Sequence, residues 1–219
     1  MKKTNLILSI VFSIIGAVLS IMYYVFVGAS IIESNNISYL FIIAYFATCW
    51  LPAILDWLFK IRLSLLANII YQVFLVFSIL IGSLWEVYNH LAFYDIILHS
   101  LCGVVIAVIA YSLYMQSKTN KLGSVWLFIL MFSISLACGG LWEIWEFLTD
   151  IIMNGNSQRT MGFVGQDAIL DTMLDIVCDC CGAIIGAVLV VVFERRRKKR
   201  KALSDQNTND KVIDKNSIE

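Results

Sequence analysis

The chain has 219 residues, of which 60% are hydrophobic and 15% are charged, and it contains one proline. This composition excludes an ordinary soluble domain and indicates a helical membrane protein that crosses the bilayer several times. The formal net charge is zero, but the acidic and basic residues occupy opposite ends of the apolar segments.

Six apolar segments are long enough to cross a bilayer as helices, which takes about 20 residues each. They cover residues 6–27, 37–59, 63–84, 96–115, 122–148 and 172–193. We therefore predict an all-α fold, a polytopic membrane helical bundle within residues 1–195. The first segment is too long for the apolar part of a signal peptide, so we expect it to be retained. Residues 196–219 are predicted to form a basic and then disordered tail.

Basic residues flank the segment ends that we predict to face the cytoplasm. They are Lys2, Lys3, Lys60, Arg62, Lys118, Lys121 and the run at 195–201. Because cytoplasmic loops carry an excess of lysine and arginine, both termini are predicted to lie in the cytoplasm, with the chain in the plasma membrane. The basic run is either an orientation signal only or also a contact for anionic lipid head groups. Membrane lipids are thus the predicted partners; nothing indicates nucleic acid, and the oligomeric state stays open.

The acidic residues gather at the opposite segment ends. Asp95 and His99 are four residues apart at the start of the fourth segment, so they share a helix face. Asp171, Asp175 and Asp179 form an i+4 stripe on the sixth segment, and Asp179 lies roughly 12 Å deeper than Asp171. A carboxylate at that depth must face a bundle interior, a water-filled cleft or a cation, or be protonated. Compensation of the helix dipole explains Asp171 but not Asp179.

Two further segment ends are acidic. Glu143, Glu146 and Asp150 follow the 3–4 spacing of one helix face at the end of the fifth segment, and Glu86 follows the third. Carboxylates together with an imidazole suit a divalent cation such as Zn, Mg or Mn. The alternative for the histidine is an interfacial side chain bonded to Asp95. We predict metal ligands at His99, Asp95, Asp171, Asp175 and Asp179, catalytic carboxylates at Glu143, Glu146 and Glu86, and ligand binding by Asp150 and Tyr94.

Several stretches resemble the YjdF-like family of bacterial inner-membrane proteins. The first are residues 81–88 (IGSLWEVY) and 94–103 (YDIILHSLCG); the others are 140–150 (GLWEIWEFLTD) and 171–183 (DTMLDIVCDCCGA). The resemblance covers roughly residues 40–193 and implies a multi-pass protein of the bacterial inner (plasma) membrane with the same acidic site. More distantly, the layout resembles the VanZ-like family, which is associated with envelope functions. Neither resemblance implies a reaction, because the YjdF-like family has no assigned activity.

The residues leave three functions open. The first is a membrane-embedded, metal-dependent enzyme that acts on an envelope lipid or lipid-linked substrate, with the glutamates as general base. The second is a non-catalytic envelope factor that binds a head group or a partner protein. The third is a cation- or proton-coupled transporter, although the cytoplasmic halves of the segments carry few polar residues beyond Asp56 and Asn68.

Overall fold

The computed structural model describes residues 3–27, 38–91, 93–117, 122–153, 158 and 163–216. The described chain is helical. Its helices are α1 (Lys3–Val27), α2 (Ser38–Phe59), α3 (Leu65–Leu75, continued by a π-helical segment Val76–Leu84), α4 (Val87–His90), α5 (Tyr94–Tyr114), α6 (Ser124–Met153) and α7 (Leu170–Asn216). A short 3₁₀ turn, Asp167–Ile169, leads into α7.

Six of these helices are long and apolar enough to cross a membrane: α1, α2, α3 with its π-helical continuation, α5, α6 and α7. Large apolar side chains such as Ile14, Trp57 and Leu66 are exposed on their outer faces. Such exposure is unfavourable in water but natural in a bilayer, where lipid surrounds the helices. The predicted all-α, multi-pass architecture is confirmed.

The helices run alternately between two ends of the bundle. At one end, called the acidic end, α3 and α6 finish while α5 and α7 begin. The Tyr23 ring contacts Trp85 there, with centroids 6.1 Å apart, so α1 also finishes at this end. At the other, the basic end, Arg195 donates from Nε to Ser124 Oγ over 3.0 Å. The acidic and basic residues that flank opposite ends of the apolar segments in the sequence therefore lie at opposite ends of the folded bundle.

The bundle has two apolar cores, one for each group of three spanning helices. One core belongs to α1, α2 and α3 and contains Tyr23, Tyr45, Cys49, Leu75, Leu80 and Leu84. The other belongs to α5, α6 and α7 and contains Ala107, Ala110, Tyr111, Leu127, Met131, Ala187 and Val190. The small alanines of this second core allow its helices to approach closely.

Buried polar side chains tie the first group together. Asn68 donates from Nδ2 to Asn5 Oδ1 over 3.0 Å, and Gln72 donates from Nε2 to the Cys49 carbonyl over 2.8 Å. The Ser9 hydroxyl donates to the same carbonyl over 3.0 Å. Hydrogen bonds between membrane helices are worth about 0.6 kcal/mol each on average. These hydrogen bonds add specificity to the association of the helices, because lipid tails are as apolar as the helix faces and provide no hydrophobic driving force for packing.

A glycine contact sets the crossing of α5 and α7. A Cβ atom on Gly103 would lie 2.7 Å from the Gly182 carbonyl carbon, and one on Gly182 would collide with the Ser100 carbonyl. The two backbones therefore touch at this point. His99 lies one turn before Gly103, and Asp179 lies one turn before Gly182. The glycine contact thus aligns these two side chains across the helix interface.

Helix α7 continues to Asn216, into the tail over residues 196–219 that was predicted to be basic and then disordered. Residues 217–219 of that tail lie outside the described residues. No glycine or proline occurs after Gly186, and residues 194–203 are strong helix formers. With no breaker or glycine cap, nothing in the local sequence ends the helix at the end of the apolar segment.

The orientation of the bundle stays a prediction, and cysteine labelling tests it. Gln166 is exposed at the acidic end, and Ala202 is exposed on α7 beyond the basic end. From the positive-inside distribution, we expect Gln166→Cys to react with an impermeant maleimide in intact cells, and Ala202→Cys only after permeabilisation. The parent protein controls for labelling of the native cysteines. The opposite pattern would place the acidic end in the cytoplasm.

Candidate metal site

His99 lies in the second turn of α5 and is 8% exposed. Its Nδ1 atom is 3.3 Å from Asp179 Oδ2 and 3.8 Å from Glu143 Oε1. Its Nε2 atom is 3.6 Å from Asp95 Oδ1 and 3.9 Å from Asp175 Oδ2. Each ring nitrogen therefore faces two carboxylates. We call these five residues the His99 cluster.

The cluster is assembled from three helices by their periodicity. Asp95 and His99 are one turn apart on α5, and Asp175 and Asp179 are one turn apart on α7. Glu143 comes from α6, which packs beside both. Every member lies in the second group of helices, so α1, α2 and α3 contribute no side chain to the cluster.

Gly139 makes room for one carboxylate of the cluster. A Cβ atom at position 139 would lie 2.6 Å from Asp179 Cγ and closer still to Oδ2, whereas one on Gly140 would meet no atom within 4 Å. The Asp179 carboxylate therefore occupies the space above the bare Cα of Gly139. Sequence analysis missed this residue, although the glycine pair one turn before Glu143 was a signal for close packing.

The cluster carries more negative than positive charge. A protonated imidazole supplies one positive charge, and the charge of four ionised carboxylates exceeds it. Glu143 is 4% exposed, and neither of its oxygens has a hydrogen-bond partner among the described residues. A buried carboxylate is costly unless a cation, a proton or a hydrogen bond compensates it, so the geometry calls for a cation or protons.

Among the residues that the structure describes, two sets of three have the spacing of metal ligands, and His99 belongs to both. In each set, one ligand atom from every residue lies within 4.8 Å of the others; the sets are Asp95, His99 and Asp175, and His99, Glu143 and Asp179. Ligand atoms about 2.1 Å from zinc are about 3.4 Å apart in a tetrahedral site. The Nε2 contacts of 3.6 and 3.9 Å need only a small contraction to reach that spacing.

The two nitrogens of His99 differ in what they contact. The 3.3 Å separation between Nδ1 and Asp179 Oδ2 is a hydrogen-bond distance. When a histidine binds a metal, its second nitrogen usually donates to a carboxylate or a carbonyl, which fixes the ring. A proton on Nδ1 leaves the lone pair on Nε2, which faces Asp95 and Asp175. Asp95 is only partly buried, so this side is the more accessible one.

Glu146 lies one turn beyond Glu143 toward the acidic end. It is partly buried, and Trp142 donates from Nε1 to its Oε1 over 3.0 Å. It also interacts electrostatically with His99 and Asp95. Glu146 therefore borders the cluster without belonging to either ligand set.

Two predicted carboxylates lie at helix ends outside the His99 cluster. Asp150 accepts a hydrogen bond from the Gln158 backbone N–H over 3.0 Å, and the Gln158 side chain donates to Thr172 Oγ1 over 3.0 Å. Gln158, which sequence analysis missed, thereby links the end of α6 to the start of α7. Asp171 occupies the first turn of α7, where a negative charge favours the helix dipole. A metal or ligand role for Asp150 and Asp171 stays a prediction.

Two other predicted site residues, Tyr94 and Glu86, lie beside the end of α3. The Tyr94 hydroxyl donates to the Phe77 carbonyl over 2.8 Å, so this side chain braces the π-helical segment. Glu86 has a left-handed backbone, with φ of 56°, at the turn into α4. Among the described residues, neither belongs to a ligand set with His99. The binding role of Tyr94 and the catalytic role of Glu86 stay predictions.

Tyr88 is a further residue near the cluster that sequence analysis missed. Its ring lies against Gly82 and makes an edge contact with Tyr94, with centroids 5.3 Å apart. Burial raises the pKa of the Tyr88 phenol, and the nearby Asp95 and Glu146 carboxylates raise it further. The hydroxyl therefore stays protonated beside the acidic groups. No sequence signal points to it, because its position depends on the π-helical turn before it.

Six apolar spanning helices and a buried carboxylate–imidazole cluster define this chain as a multi-pass membrane protein with a polar site inside the bundle. The chain belongs to the family described as "Predicted membrane protein (DUF2238)", whose model matches residues 15–196. That range contains the whole His99 cluster. No curated protein and no solved structure matches the chain. The prediction of a multi-pass membrane family is thus confirmed, while the family supplies no reaction.

Proposed function

We propose that this protein is a membrane-embedded, divalent-cation-dependent enzyme that acts on an envelope lipid or lipid-linked substrate. The observation that carries the proposal is the placement of one imidazole between two pairs of carboxylates in a buried part of the bundle. The cation binds His99 Nε2 together with Asp95 and Asp175. Zinc and manganese suit this mixed nitrogen and oxygen set, and magnesium suits its carboxylates.

The other two carboxylates of the cluster act through the imidazole. Asp179 accepts the Nδ1 proton of His99, which holds the ring so that Nε2 points at the cation. Glu143, whose oxygens have no hydrogen-bond partner among the described residues, adds negative potential on the same side of the ring. Both groups raise the affinity for a cation without touching it.

The chemistry that follows is hydrolysis of an ester or phosphoester. A cation held by His99, Asp95 and Asp175 would supply polarisation of the phosphoryl or acyl oxygen and of a nearby water molecule. Glu146 takes a proton from that water, whose oxygen bonds to the phosphorus or carbon centre. The bond to the leaving oxygen breaks, and the same proton passes to that oxygen. Glu146 suits this role because it borders the ligand set and is partly open.

A lipid-borne substrate is supported by the surroundings of the site. Trp142 and Trp145 are 51% and 58% exposed on α6 beside Glu143 and Glu146. Exposed tryptophans favour the boundary between hydrocarbon and head groups. The positive-inside distribution predicts that this boundary is the extracytoplasmic one. The resemblance to the VanZ-like family agrees with an envelope substrate, and both the VanZ-like and YjdF-like resemblances stay predictions.

Incubation with lipid tests the proposal. Purified protein in lipid nanodiscs made from a bacterial envelope extract is supplied with zinc, manganese or magnesium, and the lipids are analysed by mass spectrometry. We expect a product that depends on the cation and disappears in Glu146→Gln, because this variant keeps the ligands and loses the base. Ile152→Val, a change at an exposed position of the same helix to which no site role is assigned, is the control. A cation bound without any product would favour the non-catalytic envelope factor instead.

One observation favours a cation-coupled carrier as the second candidate. Asn5, Asn68 and Gln72 are fully buried near the basic end, so polar side chains occur in both halves of the bundle. The Asn5 Nδ2 and Gln72 Oε1 atoms have no hydrogen-bond partner among the described residues. Cation flux into proteoliposomes, with no change in the lipids, would support the carrier and count against the enzyme.

A further inference from the structure

A crevice opens between α3, α5 and α7 at the basic end, remote from the His99 cluster along these helices. Its volume is about 690 Å³, and its walls are mainly apolar, with Leu66 from α3, Val108 from α5 and Leu189 from α7. Arg196 and Arg197 line its end. The crevice therefore joins an apolar channel to a basic rim.

A second, smaller cavity adjoins this rim. Its volume is about 210 Å³, and it is lined by Phe193, Arg196, Arg197 and Arg200. Phe193, Arg196 and Arg197 line both spaces. The basic rim thus extends by one helical turn, from Arg196 to Arg200, along a single face of α7.

Glu194 holds one of these arginines in place. Glu194 is 3% exposed and accepts from Arg197 Nε over 2.7 Å and from Arg197 Nη2 over 3.0 Å. The Tyr111 hydroxyl donates to Glu194 over 2.5 Å, and Lys198 Nζ lies 3.7 Å from it. Glu194 therefore offsets charge on Arg197 and Lys198 and ties α7 to α5 beside the crevice.

Arg196 and Arg200 have a different environment. In the part of the chain that the structure describes, no carboxylate lies within 4 Å of either guanidinium. The two residues are four apart on α7, so they present their charges on one face. A guanidinium binds phosphate oxygens in a two-pronged geometry that lysine cannot provide.

We infer that this crevice is a binding site for an anionic phospholipid. An acyl chain lies along the apolar walls between α3, α5 and α7, and the head-group phosphate contacts Arg196 and Arg200. Charge complementarity and the apolar lining together select this occupant, because a soluble anion would leave the walls uncovered. The inference does not depend on the proposed metal site, which lies at the other end of the bundle.

Retention of lipid by the purified full-length chain tests this inference. The protein is equilibrated with phosphatidylglycerol or with phosphatidylcholine in a neutral detergent, and bound lipid is counted by native mass spectrometry. We expect the double variant Arg196→Gln/Arg200→Gln to lose phosphatidylglycerol several-fold, with little change in phosphatidylcholine. The matched control Arg195→Gln/Lys199→Gln removes two positive charges at the same spacing, from positions that do not line the crevice. We expect the control to retain phosphatidylglycerol as the wild type does.

An equal loss in both double variants would overturn the inference, because a general basic field would then explain the binding. No loss in either would overturn it as well.

A second pair of variants tests the crevice without changing charge. Leu189→Trp fills the apolar channel and is expected to reduce phosphatidylglycerol retention, whereas Val188→Trp, which does not line the crevice, is expected to preserve it. Equal retention by these two variants would show that the channel is not the site.

Discussion

Wild-type protein purified without chelator is expected to retain a divalent cation that His99→Ala and Asp175→Asn lose. Both changes remove ligands on the Nε2 side of the cluster, where the cation is proposed to bind. A cation that binds only the folded state adds about 2.7 kcal/mol of stability when its free concentration is 100 times the Kd. Chelation should therefore lower the Tm of the wild type by several degrees and leave both variants unchanged.

Metal content by elemental mass spectrometry and Tm in detergent, each with and without chelator, provide the measurements. Asp167→Asn is the control, since Asp167 is an exposed carboxylate at the same end of the bundle and outside the cluster. This variant should retain the metal and show the same decrease of Tm with chelator as the wild type. A wild-type protein that carries no metal and melts at the same temperature with chelator would contradict the cation proposal. Protonated carboxylates would then explain how the buried charge is tolerated.

Gly139→Ala is expected to weaken cation binding, while Gly140→Ala is not. The new methyl group at position 139 would lie 2.6 Å from Asp179 Cγ and must displace this carboxylate from Nδ1 of His99. Loss of a carboxylate that orients a metal-binding histidine typically costs about 10- to 100-fold in metal affinity. At position 140 the same methyl group would meet no atom within 4 Å.

Titration calorimetry of the two variants with the cation that the wild-type protein retains measures the difference in their cation affinity. The variants add the same group to neighbouring positions of one helix, so a general effect of alanine on α6 cancels. Overpacking at position 139 also costs about 1–3 kcal/mol of stability, which a Tm measurement reports separately. Asp179→Asn should weaken binding as Gly139→Ala does, without adding volume. Equal affinities for Gly139→Ala and Gly140→Ala would show that Asp179 does not position His99.

Much of the architecture was predictable from the sequence because the bilayer imposes a simple rule. Each span needs an apolar run of suitable length, so six runs predicted six spanning helices, and the structure contains them. Helical periodicity likewise paired Asp95 with His99 and Asp175 with Asp179. These are local properties, since each depends on the spacing of residues within one segment.

The spacing of residues within one segment did not predict the position of residues whose surroundings depend on other parts of the chain. Asp171 shares the stripe of Asp175 and Asp179, yet it lies in the first turn of α7 and outside both ligand sets. Glu86 follows a π-helical turn that the apolar pattern does not reveal, and it adopts a left-handed conformation there. Helix α7 continues to Asn216 because no breaker ends it, although the tail over residues 196–219 was predicted to be basic and then disordered.

By itself, the sequence determined the number of spans, the charge difference between their ends and the pairs of polar residues that share a helix face. The tertiary structure decided which pairs meet. The contact between Gly103 and Gly182 brings α5 and α7 together at a level where His99 faces Asp179, and Gly139 leaves space for that carboxylate. Such contacts depend on how separate helices pack, and packing between helices leaves no periodic signal within any one of them.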